Sequence, residues 1–113
     1  MTTIKKIAFK NNDLNVTIAN QFFSRLRGLL FKPALKLDEA LLISPCKSVH
    51  TLGMRYPIDI VFLSPDYQIL KIVNDCMPLR LASCPQAKHT LELLSGESSR
   101  LGLKVGMPFP SII

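Results

Sequence analysis

The sequence predicts a single α+β domain, dominated by short antiparallel strands that form a partial β-barrel closed by one or two short helices. Three observations lead to this fold class. A chain of 113 residues has the length of one domain, so residues 1–113 are predicted to form a single domain. Apolar residues occur mostly in short runs or alternate with polar ones, which is typical of strands. Residues 20–33 instead carry the spacing of an amphipathic helix.

Strand signals recur along the chain between turn-forming residues. Residues 14–18 alternate apolar and polar side chains, and they predict a hairpin with residues 4–9 across an Asn-Asn-Asp turn. Ile58–Leu63 is the strongest strand signal, and the Ser-Pro-Asp-Tyr turn after it predicts pairing with residues 68–73. Further strands are predicted at 40–44, 89–94 and 104–107.

Two helical segments are predicted. Asn20 can cap a helix, Phe22 and Leu26 then recur at helical spacing, and Pro33 ends the pattern. This helix is expected to close one side of the barrel. A second helical turn is expected at residues 95–101, with Gly102 as its C-terminal stop.

Composition and charge limit the possible classes of protein. Hydrophobic residues make up 48% of the chain, which excludes global disorder, and no apolar run approaches the ~20 residues of a membrane-spanning helix. No apolar signal-peptide core follows the basic N-terminus, so a cytoplasmic location is expected. The net charge of +6 is spread along the chain without a nucleic-acid-binding motif, which argues against specific nucleic-acid recognition.

The segment of residues 46–59 contains the candidate site. Asp59 lies between Pro57 and a strand that is apolar on both faces, so its carboxylate is expected to be buried and hydrogen-bonded. One interpretation is structural, in which Asp59 accepts hydrogen bonds from loop amides and fixes the loop of residues 46–57. The other is functional, in which Asp59 is a general base or orients His50.

Two hypotheses follow for this segment. The preferred one is a noncatalytic accessory module, in which Cys46, His50, Thr51, Arg55 and Asp59 contribute to binding an unidentified small ligand or protein. The alternative is a small enzyme or metal-binding protein that uses Cys46, His50 and Asp59 as a thiol, imidazole and carboxylate.

Both histidines follow a cysteine closely, at Cys46-x3-His50 and Cys84-x4-His89. Zinc takes four such ligands, but these spacings do not equal those of known zinc patterns. No metal site is therefore predicted, and the sequence specifies no cofactor or oligomeric state. The three cysteines, an odd number without an export signal, are expected to be reduced thiols.

Three blocks in a fixed order carry a family resemblance. They are Arg-Leu-Arg-Gly-Leu-Leu at residues 25–30, Pro-Ile-Asp at 57–59, and Leu-Glu-Leu at 91–93 followed by two glycines. Over about residues 14–107 the chain resembles the domain-of-unknown-function family 192. His50 and Gly53 stand where that family has Trp and Asn, as in a variant branch. Because the family has no established activity, the resemblance implies a fold and a suspected site region without a reaction.

Overall fold

A computed structural model describes residues 3–19, 35–51 and 54–113, and shows a six-stranded sheet, a two-stranded ribbon and one short helix. The elements are β1 (Thr3–Phe9), β2 (Asn12–Ala19), β3 (Glu39–Ile43), β4 (Ser48–His50), β5 (Ile58–Leu63), β6 (Ile69–Cys76), β7 (Leu81–Ser83), β8 (His89–Leu94) and α1 (Glu97–Arg100). The α+β, strand-dominated class is confirmed. The helix predicted at residues 20–33 lies outside the described residues.

The large sheet has the strand order β1-β2-β3-β8-β5-β6. Its pairs are antiparallel except β2 and β3, which are parallel, with Asn15 opposite Glu39 and Ala19 opposite Ile43. The prediction of a wholly antiparallel sheet was therefore wrong at this pair. The chain between β2 and β3 is long enough for the crossover connection that parallel strands require. β1 and β6 form opposite edges, so the sheet is open and the predicted barrel closure is not confirmed.

The hairpins follow the sequence signals closely. β1 pairs with β2, and the turn lies at Lys10 and Asn11, one residue earlier than the Asn-Asn-Asp cluster suggests. Lys10 has a positive φ of 54°, as expected in a tight hairpin turn. β5 pairs with both β6 and β8, so β5 lies inside the sheet, and all six of its residues are buried.

Side chains alternate along β5, so this strand contributes to two buried clusters, one on each face of the sheet. Val61 and Leu63 point to the first face, where a cluster of buried residues from all six strands packs against Leu101 and the C-terminal segment. Ile60 and Phe62 point to the second face, whose cluster includes buried residues of the β4–β7 ribbon. The sheet thus lies between the C-terminal segment and the ribbon.

The C-terminal segment differs from its prediction. The strand predicted at residues 104–107 is wrong, because the Met107 amide donates to the Lys104 carbonyl at 3.1 Å and forms a turn. Gly106 adopts the positive φ of 90° that this turn requires. Beyond it, Phe109 stacks on Phe9 with ring centroids 5.2 Å apart, so the segment covers the first face.

The predicted helical turn before Gly102 is confirmed as α1. Arg100 links this helix to residues of the large sheet, because its guanidinium donates to Glu97, Asp38 and Asn12. These contacts link α1, the connection to β3 and the start of β2.

Candidate functional site

Asp59 is held by hydrogen bonds at the start of β5. It is 1% exposed, and its carboxylate accepts four hydrogen bonds. The donors are the amides of Asp75 at 2.8 Å, Gly96 at 3.1 Å and Ser98 at 2.9 Å, and the Ser98 hydroxyl at 2.7 Å. The expected burial is confirmed. These bonds fasten the end of β6 and the entry to α1, however, and not the loop of residues 46–57.

The thiol, imidazole and carboxylate of the enzyme hypothesis are not brought together. Asp59 shares the first face of the sheet with Val61, and its donors belong to the α1 side. Cys46 is buried in the second cluster, where its thiol donates to the Ser48 carbonyl at 3.1 Å. His50 is exposed at the end of β4. The three side chains thus occupy three different environments.

β4 and β7 form a two-stranded ribbon that covers the second face. Val49 lies opposite Ala82, and both are buried in the second cluster. His50 lies opposite Leu81, and both are exposed because side chains alternate along a strand. The segment that the sequence predicts as a structured loop therefore contains a short strand, and His50 lies on its exposed side.

Thr51 fixes the neighbouring segment of residues 77–80. Its hydroxyl lies 2.8 Å from the Met77 carbonyl and accepts the Arg80 amide at 2.7 Å. Its own amide donates to the Arg80 carbonyl at 2.8 Å, and its carbonyl accepts from the Leu79 amide at 3.3 Å. Thr51 itself is buried, so its role in this arrangement is to hold residues 77–80 in place.

Residues 77–81 display apolar side chains to solvent. Met77, Leu79 and Leu81 are 50%, 68% and 76% exposed, and they are three of the seven exposed large hydrophobic residues in the described parts of the chain. Leu79 has a positive φ of 64°, an uncommon conformation for a residue with a side chain. We call residues 45–51, 54–57 and 77–88 the ribbon lobe.

The ribbon lobe has a one-sided charge. It contains four basic residues and no aspartate or glutamate, since all eight acidic residues of the chain lie elsewhere. The basic residues are Lys47, Arg55, Arg80 and Lys88, and all four are exposed. The charged residues within these segments are therefore all basic.

The buried thiol of Cys76 lies at the base of this lobe. Burial raises the pKa of this thiol, and the buried Glu92 carboxylate raises it further while Arg80 opposes both. A raised pKa keeps the thiol protonated at neutral pH, whereas a nucleophilic cysteine requires the thiolate. All three cysteines of the chain are buried, free thiols.

The two Cys/His pairs do not converge. Cys46 and Cys84 lie in the second cluster, whereas His89 stacks on Tyr67 of the first cluster with ring centroids 4.4 Å apart. The His89 Nδ1 atom lies 2.7 Å from the Ser44 hydroxyl. Within residues 3–19, 35–51 and 54–113, no three His, Cys, Asp or Glu side chains gather as a metal site.

Comparison with known proteins identifies the family. The model of the domain-of-unknown-function family 192, described as "Uncharacterized ACR", matches residues 4–109. The chain belongs to this family. The match confirms the resemblance carried by the three sequence blocks. No functionally curated protein matches the sequence of this family member.

Two solved structures support the fold of this family member. A protein of unknown function from Novosphingobium aromaticivorans is similar with a TM-score of 0.73 and 19% identity, over 93% of this chain and 81% of that one. A putative transcription regulator from Sinorhizobium meliloti is similar with a TM-score of 0.74 and 22% identity, over 93% of this chain and 88% of that one. At these identities the likeness extends to the fold alone.

Sequence reasoning did not assign the most exposed apolar residues to a site. Met77, Leu79 and Leu81 recur at every second position, which is a signal of a strand with one apolar face. Such a pattern normally predicts burial, so it gives no reason to expect these side chains in solvent. No helix in the described part of the chain is long and apolar enough to cross a membrane.

Proposed function

We propose that this chain is a noncatalytic protein-binding accessory module whose contact surface is the exposed side of the ribbon lobe. The observation that supports the proposal most directly is the clustering of Met77, Leu79 and Leu81 in solvent. Clustered exposed apolar side chains are characteristic of interaction sites, whereas single ones are common on any surface. Arg80, which lies between Leu79 and Leu81 in sequence, is exposed as well, as expected of a charged residue at the rim of a protein interface.

The apolar side chains supply a driving force for association. Burying one leucine or methionine side chain fully contributes about 1.5–3 kcal/mol. Three such side chains can therefore offset a substantial part of the free-energy cost of bringing two proteins together. In the unbound chain this gain is unused, because Leu79 and Leu81 are largely exposed.

The conformation of Leu79 supports a role outside stability. A left-handed conformation costs a residue with a side chain roughly 1–2 kcal/mol, and glycine would avoid most of this cost. Here the cost is met by the hydrogen bonds through which Thr51 holds residues 77–80. The result is a leucine directed into solvent from a fixed backbone, which suits a contact residue.

The predicted binding residues take different parts in this proposal. His50 and Arg55 are exposed and contribute to the rim of the contact, while Thr51 supports it from below. Cys46 and Asp59 are buried and act as internal structure. The separation of Cys46, His50 and Asp59 favours a binding module over the alternative of an enzyme that uses them together.

Site-specific photo-crosslinking in cells tests the proposal. Leu79 is replaced by p-benzoylphenylalanine, and irradiation is expected to yield a discrete adduct with one cellular protein, identified by mass spectrometry. The matched control places the same residue at Val105, which is exposed to a similar degree on the C-terminal turn. The adduct at position 79 should disappear when Met77→Ser and Leu81→Ser are added.

Other results would contradict the proposed contact surface. Adducts of the same kind at positions 79 and 105, or no adduct at 79, contradict a specific contact surface on the ribbon lobe. If the adduct at position 79 is specific, the purified partner and the purified chain should associate with an affinity that His50→Ala lowers only slightly. An activity that His50→Ala and Cys46→Ala both abolish would instead support the enzyme alternative.

A further inference from the structure

We infer that the outer edge of β7 accepts an extended segment of the partner protein as an added strand, an inference that rests on the proposed binding function. The ribbon consists of β4 and β7 alone, so in the described part of the chain no further strand pairs with either of them. An open strand edge presents backbone amides and carbonyls with which another chain can pair. Extended peptides bind several classes of domain in this way, with the main chain giving affinity and alternate side chains giving specificity.

The register of the ribbon decides which backbone groups point outward. The Thr51 amide donates to the Arg80 carbonyl at 2.8 Å, so these two residues form a hydrogen-bonded pair. The next pair along the ribbon is His50 opposite Leu81. Because hydrogen-bonded and non-hydrogen-bonded pairs alternate in an antiparallel ladder, His50 and Leu81 are not bonded to each other through the backbone. The amide and carbonyl of Leu81 therefore point away from β4, to the outer edge of β7.

The contact of Ser83 agrees with this direction. Its carbonyl, two residues after Leu81, accepts a hydrogen bond at 2.9 Å from the ammonium of Lys71, which belongs to β6 and not to β4. The Ser83 carbonyl thus faces the outer edge of β7. Within the described residues, the amide and carbonyl of Leu81 have no such contact, and Leu81 is 76% exposed. The open part of this edge is therefore centred on Leu81.

The two edges of the large sheet are better protected against pairing. β1 carries the exposed Lys5 and Lys6, and lysine on an edge strand opposes pairing with another chain. β6 is covered at its start, because the Ile69 amide donates to the Met107 carbonyl at 2.9 Å. β7 has the sequence Leu-Ala-Ser and carries no charged residue. Of these three edges, β7 is the one best suited to receive a strand.

The partner segment is expected to carry apolar residues at every second position. A residue that pairs with Leu81 has its side chain beside that of Leu81, on the exposed side of the ribbon. An apolar side chain at this point covers Leu81, and strand alternation returns the segment to the same side two residues later. On the β4 edge the corresponding residue is His50, which offers no apolar side chain. The added strand is therefore assigned to β7.

Removal of the Leu81 amide tests the inference in the crosslinking assay at position 79. Leu81→Pro keeps an apolar side chain and deletes the outward N–H, while the hydrogen bonds between β4 and β7 remain. The adduct yield is expected to fall about tenfold or more, because a carbonyl of the partner loses its donor. Leu81→Val is the matched comparison, since it keeps the amide beside a side chain of similar size, and it should lower the yield by less than about threefold.

A second proline controls for the other edge of the ribbon. Ser48 lies opposite Ser83 in a pair of the same kind as His50 and Leu81, so its amide points to the outer edge of β4. Ser48→Pro should therefore change the adduct yield by less than about twofold. Circular dichroism verifies that both proline variants are folded.

Amide hydrogen exchange gives a readout that needs no substitution. The sample is the full chain in a purified complex with the protein crosslinked at position 79. Exchange of the Leu81 and Ser83 amides should slow by at least about tenfold on binding, because both amides then donate to the added strand. The Ser48 amide should exchange at an unchanged rate. If Leu81→Pro fails to fold, this measurement decides the inference.

The outcomes separate this inference from the proposed function. An adduct that persists in a folded Leu81→Pro variant, or equal losses in Leu81→Pro and Ser48→Pro, overturns the added strand at β7 and leaves the contact surface intact. A Leu81 amide that exchanges equally fast in the complex does the same. An adduct that joins two copies of this chain overturns the separate partner in favour of a homodimer. The absence of any adduct at position 79 refutes the proposed function as well.

Discussion

The start of β5 at Asp59 and the ribbon lobe differ in which kind of side chain is buried and which is exposed. At Asp59 a charged group is buried, and the protein supplies its four hydrogen-bond donors. On the ribbon lobe, Leu79 and Leu81 are exposed. The first region has its hydrogen bonds completed within the chain, whereas the second leaves apolar side chains in solvent. The buried carboxylate is therefore assigned to stability and the exposed leucines to interaction.

The largest expected effect tests the structural side of this comparison. Asp59→Ala should lower the free energy of unfolding by about 3 kcal/mol or more, because it leaves the buried Ser98 donors and the partly buried Asp75 amide without their acceptor. Urea denaturation followed by circular dichroism measures this loss. Asp66→Ala, at an exposed turn, is the control and should cost less than about 0.5 kcal/mol. A stable Asp59→Ala variant with altered partner binding would reverse the assignment.

A smaller loss is expected at Arg100. Its contact with Glu97 at 2.6 Å lowers the pKa of that carboxyl, whose side chain is 2% exposed, and Arg100→Ala leaves the carboxylate without this partner. The Arg100 side chain is 36% exposed, so solvent screening reduces the loss to about 1–2 kcal/mol. Lys6→Ala, which breaks an exposed pair with Asp13, should cost at most about 0.5 kcal/mol.

The same contact has a pH signature. Because the folded-state pKa of Glu97 lies below its ordinary value of 4.5, its contribution is present above that pH and is lost as the pH falls through the folded pKa. The stability difference between the unmodified chain and Arg100→Ala should therefore shrink on acidification. If this stability difference stays constant as the pH falls, the ion pair between Arg100 and Glu97 is not its cause.

His89 provides a milder pH effect. Burial lowers its pKa below the ordinary value of 6.5, and the neighbouring Lys88 lowers it further. The unfolded chain then takes up a proton that the folded chain does not, so stability falls as the pH drops below about 6.5, by at most about 1.4 kcal/mol per pH unit. His89→Gln should flatten this part of the profile, whereas His50→Gln, on the exposed side of β4, should retain it.

The smallest effect on stability is expected on the ribbon lobe. Leu79→Asn should leave the free energy of unfolding unchanged or raise it by up to about 1 kcal/mol, because asparagine tolerates the positive φ at this position. The same variant should lose the partner contact, as measured by affinity for the protein crosslinked at position 79. Destabilisation by more than about 1 kcal/mol would indicate that Leu79 contributes to the core and would weaken the comparison.

Much of the fold was predictable from local patterns. The β1–β2 hairpin, the buried strand at β5, the strand at β8 and the turn into α1 all have clear periodicity or turn residues, and each is confirmed. β4 and β7 were not predicted, because three-residue strands are too short to show a period. Their existence depends on pairing between segments about 30 residues apart in sequence.

The candidate site was predictable only in part. His50 and Arg55 of the predicted segment are exposed, and their role in binding stays a prediction. The contacts of Asp59 were not predictable, because its donors at Asp75, Gly96 and Ser98 follow it by 16 to 39 residues. Hydrogen bonds at such separations leave no spacing pattern in a single sequence.

By itself, the sequence determined where the six strands of the large sheet form, that Asp59 is buried, and that the chain belongs to this family. These properties follow from local hydrophobic patterning and from the cost of exposing apolar strands to water. The tertiary structure alone decided that β2 and β3 run parallel, that Asp59 and Cys46 lie on opposite faces, and that Leu79 and Leu81 point outward. Which side of an element becomes core depends on what packs against it, and that is settled by contacts between distant segments.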